Sequence, residues 1–163
     1  MHGLREYSKT EAAEPVSLDV HDPLEGALTV AGHELRHGVS LERRYRARSR
    51  TLGFAVRLRQ CFTHLVVSCT RALGPGRDRQ ILIATDSDEQ RVAVGVIAPR
   101  GLDPKVVERV WRPFFERHLL VDELSLSLAA AERVARAHGG ELGWEPGYEG
   151  GPRLGVWLPA DNG

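Results

Sequence analysis

Apolar residues recur along this chain at two different spacings, which predict helices and strands in a mixed order. Spacings of three and four predict long helices after Asp22-Pro23, over residues 57–73 and over residues 123–138. A shorter helix is predicted to begin at Asp103-Pro104. Alternating or β-rich apolar runs predict strands in "VSLERRYRA", "QILIATD", "RVAVGVI", "GELGWEP" and "PRLGVWLP". Because hairpins and helices are grouped instead of strictly alternating, the order favours an α+β layered sandwich.

Length and charge place these elements in one globular domain. The chain has 163 residues, of which 17–160 are predicted to form the domain and 1–16 a flexible N-terminal tail. Its 22 basic and 22 acidic residues balance, so no net charge favours nucleic acid or an anionic membrane as a partner. No apolar run approaches the roughly 18 residues that span a bilayer, and the first residues do not resemble a secretory signal. We therefore expect a cytoplasmic protein.

Three segments of the chain are similar to the sequence boxes of histidine kinase ATPase domains. "RLRQCFTHLVVSCTRAL" resembles the asparagine-box helix of that family, and "APRGLDPKVVERVWRPFF" resembles its first glycine box. "SLSLAAAERVARAHGGELGWEPG" resembles the second glycine box and the helix that follows it. The boxes occur in the family's order over nearly the whole chain. The resemblance therefore implies the GHKL (Bergerat) fold, a two-layer α/β sandwich in which helices cover one face of a mixed sheet.

The same resemblance implies a nucleotide pocket whose ligand-binding residues are replaced in this chain. His64 and Ser68 occupy the two asparagine positions of the box, the second of which ligates magnesium in the family. Ile97 stands where the family has the aspartate that binds adenine, and serines stand in place of the phosphate-facing glycines. The vestigial pocket implied in this way consists of His64, Ser68, Arg71, Ile97, Pro99, Gly101, Leu102, Ser125 and Ser127. Several lost contacts of about 1–3 kcal/mol each outweigh a nucleotide affinity of roughly 5–7 kcal/mol, so we expect no ATP or magnesium cofactor.

Retained fold motifs together with replaced ligand residues favour a non-catalytic role. The leading hypothesis is a regulatory or adaptor module of bacterial signalling that acts through protein–protein contacts. Since ATPase domains of this family dock on dimerising hairpins and receiver domains, the resemblance implies a two-component protein as partner. The former lid, "ERHLLVDEL", offers Leu119, Leu120 and Val121 as a candidate partner surface. Alternatively these residues fold inward, and we expect residues 116–124 to close over the old pocket.

Two other functions remain open at this point. One is an ATP-binding histidine kinase or an anti-sigma-type protein kinase with a divergent site, which would need ATP and magnesium. The other is a phosphotransfer protein that uses His33, because "GHELRHG" is similar to the phosphoacceptor box of histidine kinases. Against this, the chain offers no second hairpin helix, and the spacing from His33 to Ser68 suits a surface helix of the ATPase domain instead.

The cysteines, two histidines and a cluster of arginines suggest further chemistry, most of which their spacing argues against. Cys61 and Cys69 lie about 12 Å apart along one predicted helix, so they cannot form a disulfide with each other and are expected to be buried thiols. His33 and His37 share a helix face, but a structural metal site needs about four ligands, so no metal is expected. The basic stretch Arg43 to Arg50 fits either a solvated strand edge and loop or a contact to an acidic partner or phosphate.

Overall fold

The computed structural model describes residues 14–35, 38–73, 79–99, 123–145 and 153–162. The helices are α1 (His21–Val30), α2 (Gly32–Leu35), α3 (Ala55–Ala72) and α4 (Glu123–Ala137). The strands are β1 (Val16–Leu18), β2 (Val39–Tyr45), β3 (Arg50–Gly53), β4 (Arg79–Ser87), β5 (Arg91–Ile97), β6 (Glu141–Glu145) and β7 (Arg153–Asp161). No helix in this part of the chain has the length and apolar character needed to span a membrane.

The seven strands form one mixed sheet. The order across the sheet is β1-β3-β7-β5-β4-β2, and β6 pairs with β7 alongside this path. Strands β2 and β4 run parallel, whereas every other described pairing is antiparallel. The predicted hairpin of β4 and β5 is confirmed, with Leu82 opposite Ile97 at its open end. The α+β sandwich is therefore confirmed.

The core lies between the sheet and the helices. Strand alternation directs one set of side chains towards the helices: Ile81, Ile83, Val92, Val94, Val96, Leu154, Val156 and Leu158. They share a buried cluster with helix residues that follow the predicted three-and-four spacing: Leu24, Leu28, Leu58, Phe62, Leu65, Leu128, Ala131 and Ala135. Cys61 and Cys69 belong to the same cluster and are free thiols, as predicted, and burial raises the pKa of each to about 12.

The N-terminal part differs from the prediction in several details. The first helix begins at His21, because the Asp19 carboxylate accepts the His21 N–H at 3.0 Å. It ends at Val30, and the short α2 follows separately. Val16, the last residue of the segment predicted as a tail, instead begins β1 and pairs with Gly53 of β3. The helix predicted at Asp103 lies outside the described residues.

The His-Gly-Gly motif joins α4 to the start of α3. Gly139 has a φ of +79°, and the amide of Gly140 donates to the carbonyl of Ala135 at 2.8 Å, which ends α4 in a Schellman turn. His138 Nδ1 lies 2.8 Å from the Val134 carbonyl, and its Nε2 accepts the N–H of Phe54 at 3.2 Å. Since the Phe54 amide is a donor, the imidazole must carry its proton on Nδ1. The side chain thus fixes the C-terminus of α4 against the N-terminus of α3.

Candidate functional site

A cleft of about 410 Å³ lies between α3 and α4. It is lined by Thr63, His64, Val67, Arg71, Leu126 and Ser127. Three residues of the predicted pocket, His64, Arg71 and Ser127, are therefore brought together here. The volume lies within the range of small-molecule sites.

A hydrogen bond crosses the cleft from one helix to the other. Nδ1 of His64 on α3 lies 2.9 Å from Oγ of Ser127 on α4. Burial lowers the pKa of His64 below its ordinary value, because a charged imidazole would lose hydration there. A neutral imidazole can either donate to the hydroxyl or accept from it. The two residues at family ligand positions therefore bond to each other.

Arg71 lines the cleft, but its guanidinium is already paired with a carboxylate. Its Nη2 atom lies 3.3 Å from Oε1 of Glu34 on α2. The two side chains are each about one-third exposed, at 36% and 34%. The carboxylate of Glu34 thus offsets the positive charge that Arg71 would offer to an anionic ligand in the cleft.

Ser68 faces the core and not the cleft. Its exposure is only 1%, and it does not line the cleft although it lies on the same helix as His64. Its hydroxyl has no hydrogen-bond partner among the described residues. The side chain at the position of the family's magnesium ligand is therefore buried and does not line the cleft.

Ile97 lies on the opposite face of the sheet, so the structure does not bring it together with Ser68. Ile97 packs with Leu82 and Ala84 in a small cluster separate from the main core. Its neighbour Val96 points into the main core, and successive strand residues point to opposite faces. The alternation of apolar residues within "RVAVGVI" already indicates that Val96 and Ile97 point to opposite faces. The expectation that Ile97 lines the pocket is thus corrected.

The remaining predicted residues lie either elsewhere in the described structure or outside the described residues. Pro99 is exposed at the end of the described segment that follows β5. Ser125 belongs to α4. Outside the described residues lie Gly101, Leu102, Leu119, Leu120, Val121 and most of the predicted lid. His33, the phosphoacceptor candidate, is exposed on the four-residue α2.

The described lining suits a magnesium–nucleotide complex poorly. Magnesium prefers octahedral oxygen ligands, usually carboxylates and water. The cleft offers two hydroxyls, an imidazole and a guanidinium, and the described part of the chain contains no cluster of metal-binding side chains. We therefore derive no chemical step through ATP or magnesium at this site.

Three lining residues were missed by the sequence analysis: Thr63, Val67 and Leu126. Helical spacing could have found two of them, since Thr63, Val67 and Arg71 lie four residues apart on one face of α3. Leu126 immediately precedes Ser127, and its side chain is 59% exposed. Its apolar surface gives the cleft a mixed character.

Comparison with solved structures identifies the fold. No family model and no curated protein matches the chain. The catalytic domain of the histidine kinase ThkA, in a nucleotide-free form, is 18% identical with a TM-score of 0.69, over 90% of this chain and 97% of that one. The mycobacterial sensor histidine kinase MprB is 19% identical with a TM-score of 0.62, over 90% and 97% of the two chains. The ATP-binding domain of PrrB from Mycobacterium tuberculosis is 20% identical with a TM-score of 0.65, over 91% and 98%. The chain therefore has the GHKL-type fold of histidine kinase ATPase domains, as the resemblance predicts.

Proposed function

We propose that this chain is a non-catalytic regulatory module that uses a histidine kinase ATPase fold to contact another protein. The observation that carries the proposal is the position of Ser68. The family's magnesium position is occupied by a side chain that is 1% exposed and lies outside the cleft lining. A ligand in the cleft would have no direct route to its hydroxyl.

The groups that do line the cleft support the same proposal. His64 and Ser127 bond to each other, and Arg71 is shared with Glu34. A nucleotide would have to break these contacts before it could form its own. No carboxylate lines the described part of the cleft for a magnesium ion, and Ile97, at the family's adenine-binding position, lies on the other face of the sheet.

The fold supports the choice of a two-component protein as the proposed partner. The similar solved structures are catalytic or ATP-binding domains of histidine kinases. In that family the domain works against a dimerising hairpin and a receiver domain, so we place the partner among two-component proteins. A module without nucleotide chemistry would act by occupying one of those surfaces.

A second candidate function is an ATP-binding kinase domain with a divergent site, either of the histidine kinase or of the anti-sigma type. The 410 Å³ cleft favours it, because that volume is within the range of ligand sites. Full-length ShkA in complex with AMPPNP is also similar to this chain, at 19% identity with a TM-score of 0.66, over 91% of this chain and 32% of that one. This candidate requires ligands other than Ser68 and Ile97.

Isothermal titration calorimetry with ATP and ADP, each with and without magnesium, separates the two functions. We expect no binding tighter than about 1 mM, which corresponds to roughly 4 kcal/mol. The ThkA catalytic domain, which has the same fold, is titrated under the same conditions as the control for comparison. A micromolar dissociation constant that requires magnesium would support the kinase instead, and its loss in Arg71→Ala would locate the nucleotide in the cleft.

A further inference from the structure

The segment that links β2 to β3 presents arginines at alternate positions. Arg46, Arg48 and Arg50 are exposed, whereas the residues between them face the protein. Ala47 packs against the main core, and the Ser49 hydroxyl donates to the carbonyl of Asp88 at 3.0 Å. The segment follows β2, the last strand of the sheet order, so it lies at the rim of the sheet.

Two hydroxyls of β4 hold this segment in place. Thr85 Oγ1 accepts hydrogen bonds from two successive amides, those of Arg46 and Ala47, at 3.1 Å each. Ser87 Oγ accepts from the next two amides, at 2.8 and 3.1 Å. Thr85 is only 1% exposed. Because the backbone is already ordered, a partner that binds here would not have to order it.

The neighbouring arginines are engaged with other groups. Arg43 binds Glu25 through two nitrogens, at 2.6 and 3.0 Å, and Arg44 lies 3.9 Å from Glu42. Arg50 donates to Ser17. Within the described part of the chain, Arg46 and Arg48 form no ion pair. These two guanidiniums therefore remain as exposed, uncompensated charges on an ordered backbone.

We propose that Arg46 and Arg48 form a docking point for an extended acidic segment of a partner protein. Alternate residues of an extended peptide project to the same side, so carboxylates at alternate positions can meet alternate arginines. A nucleic acid fits less well, because the chain has no net charge and the adjacent turn carries Asp88 and Glu89. The inference rests on the proposed function only in taking the ligand to be a protein.

The test uses two fluorescent peptides of the same length, composition and charge. In one, glutamates alternate with serines, and in the other the glutamates form a single block. Fluorescence anisotropy with the full chain at low salt should show tighter binding of the alternating peptide. Arg46→Glu combined with Arg48→Glu should weaken that binding at least about tenfold, because two attractive pairs become repulsive. The matched control, Arg59→Glu with Arg133→Glu, reverses two other exposed arginines and should change it less than about twofold.

Three results would overturn the proposal. Equal binding of the two peptides would mean that only overall charge is recognised, and equal loss in both double variants would mean that the position is unimportant. Tighter binding of a DNA duplex than of the alternating peptide would assign the surface to nucleic acid. Circular dichroism of both variants shows that the domain remains folded. Since none of these measurements involves ATP, they stay informative if the nucleotide experiment contradicts the proposed function.

Discussion

The substitution Ser68→Ala tests whether the hydroxyl at the family's magnesium-ligand position contributes to the stability of this protein or to ligand binding. The Ser68 hydroxyl is buried and has no hydrogen-bond partner among the described residues, so the folded state has lost its hydration without compensation. Such an unsatisfied group costs about 1–3 kcal/mol. Alanine also has a higher helix propensity than serine, by up to roughly 0.5 kcal/mol. Removing one oxygen leaves only a small void, which costs a few tenths of a kcal/mol, about 0.3 by cavity volume.

The net expectation is that Ser68→Ala stabilises the domain by about 1 kcal/mol. Urea denaturation followed by far-ultraviolet circular dichroism would measure the free energy of unfolding of both proteins. The matched control is Ser127→Ala, which removes a helical hydroxyl that does have a partner, His64 at 2.9 Å. That variant should be neutral or should lose up to about 1 kcal/mol.

A destabilisation of more than about 0.5 kcal/mol by Ser68→Ala would refute the reasoning, because the hydroxyl would then have a favourable contact. Repeating both titrations with millimolar magnesium–ATP adds a functional readout. A ligand that binds the folded state raises its stability. We expect no rise in the parent protein; a rise that disappears in Ser68→Ala would return this residue to a ligand role.

Other predictions concern single positions of the fold. Gly140→Ala should lower the free energy of unfolding by at least about 2 kcal/mol in urea denaturation, because a Cβ there would overlap a backbone carbonyl of β7. Gly32→Ala has open space around it and should raise the free energy of unfolding by about 0.5 kcal/mol. Equal effects of the two substitutions would contradict this reasoning. Cys61 and Cys69, with pKa values raised to about 12, should react with a thiol reagent only after unfolding; rapid reaction of the native protein would show that they are accessible. Hydrogen bonding to its arginine partner lowers the pKa of Glu25, so its contribution is present above pH 4.5 and is lost as the pH falls further. The stability difference between the parent and Glu25→Gln should therefore shrink from pH 7 to pH 3, and a constant difference would exclude this linkage.

The sequence predicted the helices and the longer strands well because their periods are long enough to detect. The helix predicted over residues 57–73 is α3, Ala55–Ala72, and that over 123–138 is α4, Glu123–Ala137. Strands β1 and β3 were missed, since three and four residues are too few to show an alternation. Their pairing is imposed by the tertiary structure.

The candidate site was predictable only where helices carry it. His64 and Ser127 face each other because a helix fixes the direction of every side chain relative to its buried stripe. The resemblance to the glycine box assigns Ile97 to the pocket. The alternation of Val92, Val94 and Val96, which all point into the main core, instead places Ile97 on the other face of the sheet. A shift of one residue in a strand exchanges the two faces of the sheet. Strand positions therefore need the register, which only the structure supplies.

Side-chain hydrogen bonds attach α4 to α3 at three points of the described chain. The C-terminal end of α4 is fixed to the start of α3 by His138, and its N-terminal third is bonded to α3 through His64 and Ser127. Between these points, Cys61 Sγ donates to the carbonyl of Ala131 at 3.4 Å. Contacts within the chain therefore hold the two walls of the cleft together. Under the proposed function, a fixed cleft of this kind suits a module that presents a constant surface, whereas a catalytic ATPase must let its site open and close around the nucleotide.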